Sequence, residues 1–160
     1  MLLMQQRVLA LQAPVGMDLT QFIPNGNESS LSGLQKWIES GEQSLCFLLG
    51  CSGSGRTHLA QALLQEASQQ GKTVIYLSAQ QIIQYGAGIL QGLDQVSFFC
   101  IDDVDLLLRH EEAIDALNAL LKRLQDAGGN CLLTSTEEHY PALLNRLLIL
   151  SFIALKFHPL

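Results

Sequence analysis

The octapeptide GCSGSGRT, Gly50 to Thr57, constrains the fold of this 160-residue chain more than any other feature. It follows the continuous apolar run LCFLLG, Leu45 to Gly50, and precedes a segment, Thr57 to Gln70, in which Leu59, Ala60, Leu63, Leu64 and Ala67 share one helical face. An uninterrupted apolar run of this length suits a strand buried on both faces of a parallel sheet. The glycines give the chain a tight turn into the helix, and Gly71 stands where a C-terminal glycine ends it. Strand, glycine turn and helix in that order predict an alternating α/β architecture.

The rest of the chain repeats the alternation. Asn27 to Ser40 predicts a helix with Leu31, Leu34 and Ile38 on one side, stopped by Gly41. TVIYLS, Thr73 to Ser78, predicts a strand, and a helical pattern follows it through Leu93, weakened by Gly86, Gly88 and Gly92. VSFFCI is a third strand ending on Asp102 and Asp103. An amphipathic helix then buries Ile114, Leu117, Leu121 and Leu124 before Gly128 and Gly129. CLLTS, Cys131 to Ser135, and FIALKF, Phe152 to Phe157, complete a five-stranded parallel sheet with helices on both faces. Residues 1–24 lack periodicity and read as an extended arm, leaving 25–160 as a single core.

Gly50 to Thr57 fits the phosphate-binding pattern G-x-x-x-x-G-K-[ST] at every fixed position but one, where Arg56 replaces Lys. The fold class expected is thus a P-loop NTPase. Gly50, Gly53, Ser54, Gly55, Arg56, Thr57 and the adjoining His58 are the candidate nucleotide-binding residues, because glycines let backbone N–H groups face phosphate at a helix N-terminus. Thr57 is placed to ligate Mg²⁺. Arg56 keeps the positive charge as a wide planar fork, which favours binding of ATP or ADP over efficient hydrolysis. The alternative is an ordinary Gly/Ser turn.

Asp102 and Asp103 close a buried strand, where a carboxylate pair can hold Mg²⁺ through Asp102 and prepare an attacking water through Asp103. Taken alone they would read as a solvated turn with Asp105 capping the next helix; the upstream glycine loop tips the reading. The histidines and cysteines show no metal-ligand spacing, and no Ser-His-Asp arrangement is suggested.

Composition narrows the function classes. A net charge of −6 argues against direct binding to nucleic acid, which needs clustered Lys and Arg. Charged residues make up 15%, below the roughly 25% usual in soluble domains, so part of the surface is expected to meet a partner. Four cysteines without a CxxC pair read as reduced thiols. LLILSFIAL, Leu147 to Leu155, is too short for a bilayer and reads as a buried strand with its lead-in. A cytoplasmic protein without membrane association is expected, and a homo-oligomer is compatible with the sequence.

LTQFIPNGN, GCSGSGRTHL, VSFFCIDDVDLL, LLKRLQDAGGNCLLTS and the closing LKFHPL together resemble the DnaA-type AAA+ ATPases, and within them the Hda group of DnaA regulatory inactivators, which resemble this chain in the arginine of the loop. The resemblance implies an AAA+ core that links the DNA polymerase III sliding clamp (beta subunit) to DnaA and promotes hydrolysis of DnaA-bound ATP. It implies that Asp102 is the magnesium residue, and that Arg146, in NRL, is a finger reaching a neighbouring subunit's γ-phosphate; a surface helix arginine is the other reading. In LLTSTEEHYP, Thr136 stands where the family carries an acid, so the sensor role there is weakened or the segment is a plain turn. QRVLAL, Gln6 to Leu11, sits where the family has its clamp-binding peptide. Gln6, Leu9 and Leu11 would be the docking residues, against the alternative of a disordered arm. The family's helical lid would follow Leu160, so nucleotide is expected to be held loosely. Two other functions remain open, an independent ATPase of helicase-loader type and a nucleotide-free interaction module.

Overall fold

The computed structural model describes residues 28–40, 45–50, 56–149 and 152–157. Five strands, β1 (Leu45–Gly50), β2 (Val74–Ser78), β3 (Phe98–Asp102), β4 (Asn130–Ser135) and β5 (Ile153–Phe157), form one parallel sheet in the order β2-β3-β4-β1-β5. The helices are α1 (Glu28–Ser40), α2 (Arg56–Gln69), α3 (Ala79–Tyr85), α4 (Glu111–Ala127) and α5 (Tyr140–Arg146).

The apolar run of β1 conceals a period of two, because successive side chains point to opposite faces of a strand. Cys46 and Leu48 join Leu34, Trp37 and Ile38 of α1 and Leu59, Leu63 and Leu64 of α2 on one face. Leu45, Phe47 and Leu49 join the α4 residues Ile114, Leu117, Leu121 and Leu124, with Leu143 of α5, on the other. Both faces of the sheet are therefore covered by helices. Trp37, which the spacing of Leu31, Leu34 and Ile38 does not single out, sits 5.3 Å from Phe98, ring centroid to centroid, in an edge-to-face arrangement. α1 approaches β5 closely at Gly33, where a Cβ would lie 3.0 Å from the Leu155 side chain.

The segment after β2 departs from the helix through Leu93 that its periodicity predicts. α3 starts well, with Ser78 and Gln81 forming a capping box. Gly86 and Gly92, with φ of 92° and 85°, then break it, and short 3₁₀ turns at Ala87–Leu90 and Leu93–Gln95 replace the later part. A 3₁₀ segment, Val104–Arg109, likewise precedes α4. Among the described residues the other predicted strands and stops agree to within one or two residues, with Gly71 (φ 88°) and Gly128 (φ 80°) ending α2 and α4; the predicted stop at Gly41 and the arm over residues 1–24 lie outside the described residues. The lead-in to β5 is not uniformly buried as expected, since Leu148 is exposed.

Phe47, on β1 between β4 and β5, is fully buried, with Tyr140 and Phe152 packed edge-on at 5.1 and 5.6 Å. Phe47→Ala removes this shared packing and leaves a cavity, so it is expected to cost about 3–5 kcal/mol of stability. A denaturant titration of both proteins measures that loss.

Candidate functional site

Ligands of parallel α/β sheets bind beyond the carboxyl ends of the strands, where neighbouring crossovers leave to opposite faces. Here β1 ends on Gly50, β3 on Asp102 and β4 on Ser135, with β4 lying between the other two. The helix that follows β1 packs on one face and α4, after β3, on the other. This is the crevice that the glycine turn predicted. Gly53, Ser54 and Gly55 of that turn lie outside the described residues, as do Gln6, Leu9 and Leu11.

Asp102 is the focus of the crevice. It is 2% exposed, and a buried carboxylate needs hydrogen bonds in place of water. Three hydroxyls supply them. Thr57, in the first turn of α2, donates to Asp102 Oδ2 at 2.8 Å, and the Tyr76 phenol of β2 donates to the same oxygen. Thr134 of β4 donates to Oδ1 and accepts from the backbone N–H of Asp103 at 2.7 Å. Burial, then the negative charge of Asp102, push the Tyr76 hydroxyl well above its ordinary value, so it stays protonated and able to donate.

Asp103 adopts a left-handed conformation (φ 57°, ψ 43°), the one non-glycine residue with positive φ among those described. Aspartate tolerates this region better than most residues, and the Thr134 contact to its N–H holds it there. The chain therefore turns sharply after β3, and Asp103 leaves the strand that the sequence assigned it to. Its Oδ1 meets Arg56 Nη2 at 2.8 Å, while Arg56 Nη1 donates to the Gly50 carbonyl. The predicted site residues Gly50, Arg56, Thr57, Asp102 and Asp103 thus come together. His58 is exposed on α2 and joins none of these contacts.

Arg146 lies elsewhere, at the end of α5. It pairs with Glu111 at 2.6 Å and donates to the Leu108 carbonyl at 3.4 Å. Thr136 bonds Asp105 Oδ2 at 3.3 Å and His139 Nδ1 at 2.8 Å. Asp105 also reaches His139 Nδ1, so acid and hydroxyl meet the same ring nitrogen, whereas a Ser-His-Asp relay needs opposite nitrogens. Asp105 does not cap α4, whose N-cap is His110. Among the described residues no cluster of His, Cys, Asp or Glu has the makings of a metal centre of three or more such ligands. Burial raises the Cys46, Cys100 and Cys131 thiols, which leaves them protonated and unreactive at neutral pH. Among the described residues no helix is long and apolar enough to cross a membrane.

Tyr76 is not singled out by the sequence, and Thr134 lies in the polar strand end LLTSTEEHYP without a role of its own assigned there. Each is a hydroxyl-bearing residue near the carboxyl end of an apolar strand, and that interruption is the signal that could have found them.

Sheet order, strand-end carboxylate and helix-start threonine define the class as a P-loop core of AAA+ type. The chain belongs to the IstB-like ATP binding protein family, whose model matches residues 18–138. The match is to this family and does not single out the Hda group that the sequence motifs resemble. The fold is similar to that of the replication initiator DnaA bound to AMPPCP and single-stranded DNA (TM-score 0.71, 20% identity, covering 89% of this chain and 50% of that one). It is similar also to domain III of the Thermotoga maritima replication initiation protein DnaA (0.69, 17%, 89% and 68%). A third likeness is to the DnaC helicase loader (0.65, 14%, 83% and 88%). At these identities the likeness concerns the fold. The chain spans half the length of the nucleotide-bound DnaA structure.

Burial and the charge of Asp102 raise the Asp103 pKa above its ordinary value, and the Arg56 guanidinium opposes them only in part. A raised carboxyl pKa in the folded state means that its stabilising contribution is complete below the ordinary carboxylate range and is lost as pH rises through the folded value. Asp103→Asn keeps a residue that accepts positive φ and removes that loss. The variant is expected to melt at a higher temperature than wild type at neutral pH, with the difference vanishing near about pH 3. Thermal unfolding across this range measures it; a less stable variant at neutral pH would show that the Arg56 pair outweighs burial.

Proposed function

We propose that this chain binds ATP or ADP with Mg²⁺ and acts in the control of DNA replication initiation, linking the DNA polymerase III sliding clamp to DnaA and promoting hydrolysis of DnaA-bound ATP. The observation that carries the nucleotide part is the contact between Thr57 and Asp102 at the start of α2. These are hard oxygen donors of the kind Mg²⁺ takes alongside phosphate and water. Bound there, Mg²⁺ would neutralise phosphate charge; Thr57 and Asp102 would hold it, with Tyr76 and Thr134 keeping the carboxylate oriented. Arg56 would offer its fork to the phosphates.

The Arg56–Asp103 pair bears on hydrolysis. A carboxylate whose Oδ1 is held by a guanidinium is not free to turn toward an attacking water, whatever its basicity. Binding without efficient turnover follows, and the catalytic step then falls on DnaA's own site. Arg146 would serve there in trans, exchanging Glu111 for the γ-phosphate of DnaA-bound ATP and stabilising charge on the transferred group. Gln6, Leu9 and Leu11 are the proposed clamp contacts, supported by their spacing in sequence. A second reading, an independent ATPase of helicase-loader type, draws on the likeness to DnaC over 88% of that chain. ATP turnover by the purified protein without DnaA would favour it.

Calorimetry is expected to detect ADP binding that Arg56→Ala weakens and whose Mg²⁺ dependence Thr57→Ala abolishes. Failure of both ADP and ATP to bind would leave an interaction module. In a reconstituted assay with DnaA-ATP and loaded clamp, Arg146→Ala is expected to lower stimulated hydrolysis by about 10³-fold or more while clamp binding persists. The triple variant Gln6→Ala, Leu9→Ala, Leu11→Ala is expected to lose clamp binding and stay folded. Equal stimulation by Arg146→Ala and wild type would remove the finger assignment.

A further inference from the structure

The hydroxyls around Asp102 are shared unevenly between its oxygens. Among the described residues, Oδ1 accepts from Thr134, whereas Oδ2 accepts both from Thr57, at 2.8 Å, and from Tyr76. A carboxylate oxygen has room for a pair of hydrogen bonds, so Thr57 and Tyr76 together fill Oδ2. The sheet register explains how a residue of an edge strand arrives there. Tyr76 of β2 lies opposite Cys100 of β3, and Ser78 opposite Asp102, so the Tyr76 and Asp102 side chains leave the same face of the sheet. The phenol is long enough to reach forward along that face to the carboxylate.

Orientation of Asp102 does not rest on Tyr76 alone. Thr57 and Thr134 hold one oxygen each, from α2 and β4, and donors on different oxygens already fix the plane of the carboxylate. The phenol adds an effect of its own. A cation ligated by the Thr57 hydroxyl lies nearest Oδ2, the oxygen that Thr57 touches, and ligating it directly would need the acceptor position that Tyr76 occupies. Oδ1 keeps a position for a metal-bound water. Cations differ in what they make of this: Mg²⁺ gives up its waters reluctantly and is satisfied by a carboxylate reached through them, whereas Ca²⁺ takes carboxylate oxygens directly.

We propose that Tyr76 sets cation specificity at this site: by filling Oδ2 alongside Thr57 it keeps Asp102 from ligating a cation directly, so nucleotide is taken with hydrated Mg²⁺ in preference to Ca²⁺. This rests on the nucleotide site proposed above and adds the residue that decides which metal–nucleotide complex it accepts.

Calorimetry of ADP binding to the full chain, with Mg²⁺ and with Ca²⁺ in turn, compares wild type with Tyr76→Phe, which keeps the ring and removes the hydroxyl. The affinity with Ca²⁺ relative to Mg²⁺ is expected to rise about tenfold or more in the variant, the change that corresponds to freeing one hydrogen bond to a charged group. Loss of a merely structural contact would weaken binding with both cations alike, and that result, or an unchanged ratio, would overturn the proposal while leaving the nucleotide site standing. A second measurement on wild type does not depend on the variant's folding. With ADP and Mn²⁺ bound to protein carrying isotopically labelled aspartate carboxyl groups, electron–nuclear double resonance is expected to find no aspartate carbon at direct-ligation distance. Direct ligation in wild type would overturn the proposal. Failure of wild type to bind ADP with any of these cations would remove the nucleotide site and this inference together.

Discussion

The site depends on one buried carboxylate and the three hydroxyls that solvate it. Asp102 ends a strand inside the sheet, where water is excluded, and its oxygens take hydrogen bonds from Thr57, Tyr76 and Thr134. Those donors come from α2, β2 and β4, so one charged group fastens four separate elements at the mouth of the crevice. An unsatisfied buried carboxylate would be costly, and each donor lost would leave Asp102 partly desolvated without compensation. The requirement fixes the register of the strand ends relative to the start of α2.

The turn after Asp102 follows from the same network. Because the Thr134 hydroxyl both donates to Asp102 and accepts from the Asp103 N–H, it couples the carboxylate to the backbone conformation of the next residue. Asp103 then leaves the strand in a left-handed conformation and meets Arg56. Two adjacent acids consequently have different environments, one buried among hydroxyls and one half-exposed against a guanidinium. The first suits a metal-holding role and the second a restrained one, which is the physical basis for proposing nucleotide binding with slow turnover.

Along the N-terminal half of α4 lies a different surface. Asn118 holds the Arg146–Leu148 backbone, so a charged residue and an apolar one are displayed side by side. Arg146 is occupied by Glu111, a contact exposed enough to be exchanged, since surface ion pairs contribute little. The core beneath remains fully packed by Leu117, Leu121 and Leu143. Surface features in this region can therefore serve contacts with other molecules without disturbing the sheet.

The sequence by itself determined the alternation of strands and helices, the parallel sheet, and the glycine turn that joins β1 to α2. Those rest on local signals: apolar runs, helical spacing and glycine stops act within a dozen residues. It also placed Arg56, Thr57, Asp102 and Asp103 at element ends, where a parallel sheet gathers them. Only the tertiary structure decided which strands are neighbours, and hence that Tyr76 and Thr134, remote in sequence, donate to Asp102. Only it turned Asp103 toward Arg56, broke the helix after β2 at Gly86, and left Leu148 outside the core while Leu147 went in. Each of these outcomes depends on which distant group lies opposite, and periodicity along a single chain carries no record of that.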